Sequence, residues 1–202
     1  MKENRILLIV MISLLLVGCG GTGAEDLSGN HISLAEEIAE GVSEDVIPVE
    51  ATKYTTVSFN IPEGMIADAE NTETEQYYLA QDMNDYSFIA YTRSEVIENL
   101  DYDSITEADY QESVTANVDS GAVLSGFTKI REAEYLKICF DVQYVKNGVS
   151  YYATEYIYVT GDYVFSIVFC QGGTTDWSTA FSESMQSVSL QSVASAVSEN
   201  QP

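Results

Sequence analysis

Histidine is almost missing from this chain: His31 is the only one in 202 residues. Ser-His-Asp and Cys-His nucleophiles need an imidazole to take the proton, and most zinc sites need His or Cys in sets. A lone His in a polar, acidic stretch supplies neither, so those chemistries are excluded. Basic residues are also scarce. There are 8 Lys and Arg against 32 Asp and Glu, a net charge of −24. That balance excludes nucleic acid as a partner and electrostatic attachment to anionic lipid. No phosphate-cradling glycine loop occurs; Gly172-Gly173 lacks both the pattern and a following Lys. No apolar run is long enough to span a bilayer comfortably. The longest, Ile6 to Val17, contains Ser13 as its only polar residue.

That run follows Lys2 and Arg5 and ends in Leu16-Val17-Gly18-Cys19-Gly20. A short basic start, an apolar stretch of this length and a small residue before Cys form a secretory leader. The segment resembles the lipobox of bacterial lipoproteins. The resemblance implies diacylglyceryl transfer to Cys19 and cleavage before it. The lipobox is Leu16, Val17, Gly18 and Cys19. More than one acyl chain gives stable attachment where one would not. Loss of residues 1–18 removes Lys2, Arg5 and Glu3, a net of +1, and leaves the mature chain at −25. The expected partner at this end is the membrane itself, through lipid on Cys19, at the outer side of the cytoplasmic membrane.

Residues 19–52 read as a flexible acidic tether, with Gly20, Gly21 and Gly23 beside the anchor. Ser33-Leu34-Ala35-Glu36 matches a capping box, and Leu34, Ile38 and Val42 have helical spacing, so a short helix fits there. Tyr54 to Ile61 reads as a strand closed by Pro62-Glu63-Gly64. Glu75 to Gln81 and Tyr86 to Tyr91 are two more, around the polar loop 82–85. Thr106 with Asp109 marks a helix start, and the pattern predicts a helix over 107–118 with Ala108, Val114 and Val118 facing a sheet. Gly126 to Arg131 is a further strand. Asp176 caps a last helix whose Trp177, Phe181, Met185 and Val188 form one apolar stripe. Residues 191–202 read as a mobile Ser-rich tail.

The densest pattern lies between Glu134 and Cys170. Three strand runs, 134–145, 149–160 and 163–170, are joined by Asn147-Gly148 and Gly161-Asp162, which supply the positive φ of primed hairpin turns. Two-residue loops fix the register. Leu136 meets Val159, Ile138 meets Ile157 and Val142 meets Ala153; across the second turn Val159 meets Val164 and Ile157 meets Ser166. One face then carries Leu136, Ile138, Phe140, Val142, Ala153, Ile157, Val159, Val164 and Val168. The other carries Tyr152, Tyr156, Tyr158, Phe165, Ile167 and Phe169. A sheet apolar on both faces must be covered on both, at least at its centre. Glu155, opposite Phe140, breaks the first face, and a bulge turning it outward is the expectation.

Tyr54-Thr-Thr-Val-Ser-Phe-Asn-Ile-Pro-Glu-Gly64, a central helix, long hairpins and a closing helix with Phe181 and Val188 together resemble the PsbP/Mog1-like sandwich. The resemblance covers about residues 53–190. It implies an α+β fold in which an antiparallel β-sheet, ending in a three-strand meander, is covered by helices on both faces. It implies a binding, assembly or accessory role and carries over no site residue.

Few constellations remain for chemistry. The registers put Cys139 beside Tyr156 and Cys170 beside Ala153, on opposite faces, so no disulfide is expected. Asp101, Asp103, Asp109 and Glu112 fit positions 1, 3, 9 and 12 of an EF-hand loop, but Ile105 and Thr106 stand where a ligand and the turning Gly belong. No metal site, cofactor or catalytic set is therefore expected. The expected function is non-enzymatic: a membrane-anchored exported lipoprotein with a binding or accessory domain at the cell envelope, taking an unknown protein or envelope ligand. Two alternatives are a hydrolase built on carboxylates and a solute-capture lipoprotein.

Overall fold

A computed structural model describes residues 52–192. The elements run β1 (Tyr54–Ser58), β2 (Met65–Ala67), β3 (Glu75–Ala80), β4 (Phe88–Glu95), α1 (Glu107–Asn117), β5 (Val123–Arg131) and β6 (Leu136–Lys146). They continue through β7 (Val149–Val159), β8 (Tyr163–Gly172), α2 (Ser178–Gln186) and β9 (Ser189–Ser192). Seven strands form one antiparallel sheet in the order β2-β3-β4-β8-β7-β6-β5. β1 and β9 form a separate antiparallel ribbon. The lipobox, the tether up to Ala51 and residues 193–202 lie outside the described residues.

The meander registers are those the turns dictate. Leu136 pairs with Val159, Ile138 with Ile157 and Val142 with Ala153, and Val159 pairs with Val164. At the first turn Asn147 and Gly148 take φ of 53° and 77°. These are the two positive values a type I′ loop requires. The second turn differs from expectation. Gly161 does not adopt positive φ. Thr160 closes that loop instead, its N–H donating to Tyr163 O (2.9 Å) and its hydroxyl accepting from Tyr163 N (3.1 Å).

Two cores result, one on each face. On the first, Tyr110, Val114 and Val118 from α1 and its end pack on Leu136, Ile138, Phe140, Val142 and Ile157. Tyr110 takes the place expected for Ala108, which is exposed, because positions 110, 114 and 118 share one helical stripe. The capping box opens α1 as predicted. Asp109 N–H donates to Thr106 Oγ1 (3.4 Å) and Thr106 N–H donates to Asp109 Oδ2 (2.7 Å). On the second face Trp177, Phe181 and Val57 pack on Ile89, Tyr91, Phe165, Ile167 and Phe169. Asp176 accepts from Ser178 N–H (2.9 Å), but Trp177 is the capping residue, one position later than predicted.

Three expectations change. Glu155 is not turned outward: it pairs with Phe140 without a bulge and is 2% exposed. The irregularity falls instead between Ser125 and Thr128 in β5, where Gly126 has φ of 64°. Gln191 and Ser192, at the start of the expected mobile tail, are strand residues paired with Thr56 and Tyr54. Finally, the second cover is a helix plus the β1–β9 ribbon, and it stops at β7. Beyond it, on β5, β6 and the start of β7, the second face is open; Val123, Ile130, Val145 and Tyr152 are each more than half exposed.

Candidate binding cleft

A half-open cleft of about 310 Å³ lies where this cover ends. Tyr54 from β1, with Val188, Ser189 and Leu190 at and just before β9, forms one wall. Tyr135, just before β6, with Lys137 of β6 and Tyr158 of β7, forms the other. The strand register explains the second wall. Lys137 pairs directly with Tyr158, and Cys139 with Tyr156, so alternate side chains of both strands emerge on the same face.

The tyrosines meet edge to face. Tyr54 and Tyr135 have ring centroids 6.1 Å apart at 87°, and Tyr135 and Tyr158 lie 5.8 Å apart at 60°. Lys137 Nζ sits over two rings, 5.1 Å from the centroid of Tyr156 and 5.7 Å from that of Tyr158. Such stacking on a ring face holds an ammonium by electrostatic attraction to the π cloud. Beside the cleft Glu134 accepts hydrogen bonds from the hydroxyls of Thr52 and Tyr54. The bonds from Thr52 and Tyr54 hold the Glu134 carboxyl below its ordinary value, and the same contact pushes the Tyr54 phenol up to about 12. Burial pushes Tyr158 up and Tyr156 to about 12. Tyr54, Tyr156 and Tyr158 therefore keep their phenol protons at physiological pH.

A second unusual group, Glu155, lies on the opposite face. Its Oε1 accepts one hydrogen bond, from Ser166 Oγ at 2.8 Å, and no cation pairs with it among the described residues. Burial raises its pKa to about 7, against which the Ser166 bond acts weakly. The sheet separates it from the cleft, so this acid and the tyrosine cluster cannot act on one substrate.

The other residues singled out in the sequence do not converge. Cys139 and Cys170 carry free thiols on opposite faces, beside Tyr156 and Ala153. Burial pushes both thiols up, Cys170 to about 12. Of the acidic run, Asp103 pairs with Arg131 and Asp109 is held by the Thr106 cap. Among the described residues no group of three His, Cys, Asp or Glu side chains is placed to hold a metal ion. No described helix is long and apolar enough to cross a membrane. Cys19, Leu16, Val17 and Gly18 lie outside the described residues.

No family model and no curated protein matches the sequence. Solved structures do. Cyanobacterial PsbP (CyanoP) from Synechocystis is similar with a TM-score of 0.50 at 11% identity, over 74% of this chain and 98% of that one. The fold is PsbP-like. LpqN, involved in cell envelope biogenesis of Mycobacterium tuberculosis, gives 0.44 at 15% identity over 67% of this chain and 83% of its own. The Saccharomyces cerevisiae Ran-binding protein Mog1p gives 0.43 at 11%, over 66% and 89%. At these identities the likeness is one of fold alone. Within the PsbP-like frame, the open flank of the second face and the cleft beside it are what this chain's own residues set out.

Proposed function

We propose that this chain is an exported lipoprotein, held through lipid on Cys19 to the outer side of the cytoplasmic membrane, whose folded part is a non-enzymatic binding or accessory domain at the cell envelope. The anchor rests on the lipobox Leu16-Val17-Gly18-Cys19 after its apolar run. The binding role rests on one observation above others: a tyrosine-walled cleft with an ammonium, opening onto an uncovered sheet flank. The carboxylate-hydrolase alternative finds less support. Glycoside hydrolysis needs an acid and a second carboxylate flanking one bond. Among the described residues no carboxylate lines the cleft, and Glu134 beside it is committed to Thr52 and Tyr54, while the carboxyl with a raised pKa is on the far side of the sheet.

The anchor is tested by fractionation. Cys19→Ala releases the protein from membranes; unchanged fractionation refutes the lipoprotein reading. The binding role is tested by capture from solubilised envelope with wild type and Tyr135→Ala. Material retained by wild type and lost from the variant supports the cleft, and equal retention by both refutes it.

A further inference from the structure

We infer that the cleft binds a pyranose ring carrying a carboxylate. This deepens the binding reading above and rests on it. Charge comes first. Between residues 52 and 192 there are six cations: Lys53, Arg93, Lys129, Arg131, Lys137 and Lys146. Lys129 Nζ donates to the carbonyls of Asp103 (2.5 Å) and Ile105 (2.8 Å), Arg131 pairs with Asp103, and Arg93 Nη1 donates to Thr55 O (2.7 Å). Lys137 is the one that lines the cleft, and among the described residues it has no carboxylate partner. Its contact with the Tyr156 and Tyr158 rings leaves ammonium donors available, since an ammonium has three. The acid beside the cleft, Glu134, already accepts from two hydroxyls, and Asp141 accepts from Thr154 Oγ1 (2.6 Å). An anionic group on the ligand therefore has a ready partner.

Shape decides what the anion is attached to. Ligand sites start at about 300 Å³. The cleft stands at that small end, so it takes one ring. Its tyrosines meet edge to face rather than as parallel plates, and so make no slot for a flat aromatic ligand. Tyrosine ring faces carry negative potential and attract weakly positive C–H groups. Val188 and Leu190 add aliphatic surface, while Ser189 and the tyrosyl hydroxyls put polar atoms around it. A puckered ring with C–H groups on its faces and hydroxyls on its edge meets both requirements. Its carboxylate reaches Lys137.

The test is calorimetric and NMR titration of the full-length chain, in a detergent without a sugar headgroup, with glucuronate, glucose and benzoate. Glucuronate binds at least ten-fold more tightly than glucose or benzoate, and shifts the Tyr135, Lys137 and Tyr158 resonances. Lys137→Gln removes at least ten-fold of the glucuronate affinity and leaves glucose unchanged, whereas Lys137→Arg restores most of it. Equal binding of glucuronate and glucose, preference for benzoate, or no binding of glucuronate overturns the inference. If it fails while capture of envelope material still depends on Tyr135, the binding reading stands and the ligand class is wrong. If capture is independent of Tyr135 as well, both fall.

Discussion

Replacing Glu155 by Gln should make the protein more stable at neutral pH and change little in acid. The side chain is 2% exposed, sits between Phe140 and Val168 on neighbouring strands, and has one hydrogen bond, from Ser166. Its carboxyl ionises near 7 in the folded protein and near 4.5 when free of burial. A folded pKa above the unfolded one means that the native state keeps a proton the unfolded chain releases. Stability therefore falls as pH rises from about 4.5 and levels off above about 7. The gap of about 2.5 pH units, at about 1.36 kcal/mol each, makes the full cost about 3 kcal/mol. Gln stays neutral throughout, and its oxygen can accept the same Ser166 bond. Urea unfolding of both proteins from pH 4 to pH 8 isolates the effect, because every other titrating group is common to the two. The difference should grow from near zero at pH 4 to about 3 kcal/mol at pH 8, or roughly 10 °C in Tm. Parallel curves would refute the reasoning, as would a carboxyl resonance of Glu155 titrating near 4.5.

Trp177→Phe removes the indole N–H that Asp85 Oδ2 accepts at 2.8 Å. The carboxylate stays buried with one donor fewer, so the change should cost about 1–3 kcal/mol in urea unfolding. Burial opposes ionisation of Asp85, yet bonds from Ser87 and Trp177 hold its carboxyl below the ordinary range, so Trp177→Phe should raise that pKa by NMR. In Gly126→Ala the new Cβ would lie 2.8 Å from Asp141 Oδ2 on a residue whose φ is +64°. A left-handed residue with a Cβ is disfavoured, so thermal unfolding should show a loss of about 1–2 kcal/mol. In native protein iodoacetamide should modify the half-buried Cys139 before the fully buried Cys170, and intact mass should show two free thiols. A Cys139–Cys170 link would contradict the register.

The meander is legible in the sequence because its information is local. Asn147-Gly148 and the Thr160–Tyr163 turn set the pairing, and period-2 alternation then assigns every side chain to a face. Glu155 is misplaced by the same reasoning because a pattern treats a carboxylate as charged. Nothing next to it in the chain announces Ser166, eleven residues away, or the apolar neighbourhood of Tyr110 that favours the neutral form. β9 escapes notice because Ser-Leu-Gln-Ser has little strand propensity and is held by pairing with β1, which is distant in the sequence. The cleft is hidden for the same reason: its walls come from β1, β6, β7 and the segment around β9. One signal does exist. The register sets Lys137 against Tyr158 and beside Tyr156, a cation on an aromatic face where an ordinary wet surface would carry short polar residues.

The β1–β9 ribbon brings Tyr54 opposite Ser192, so the first and last described strands lie side by side. A segment running from β1 to β9 therefore has neighbouring ends, as splicing into a loop of another protein requires. It should also accept circular permutation, with old ends joined by a few residues and new ones opened at Asn147-Gly148. A dye placed on the outer side of β1 or β9 would sit beside Tyr54 and Leu190, a natural place to report on whether the tyrosine-lined recess is filled.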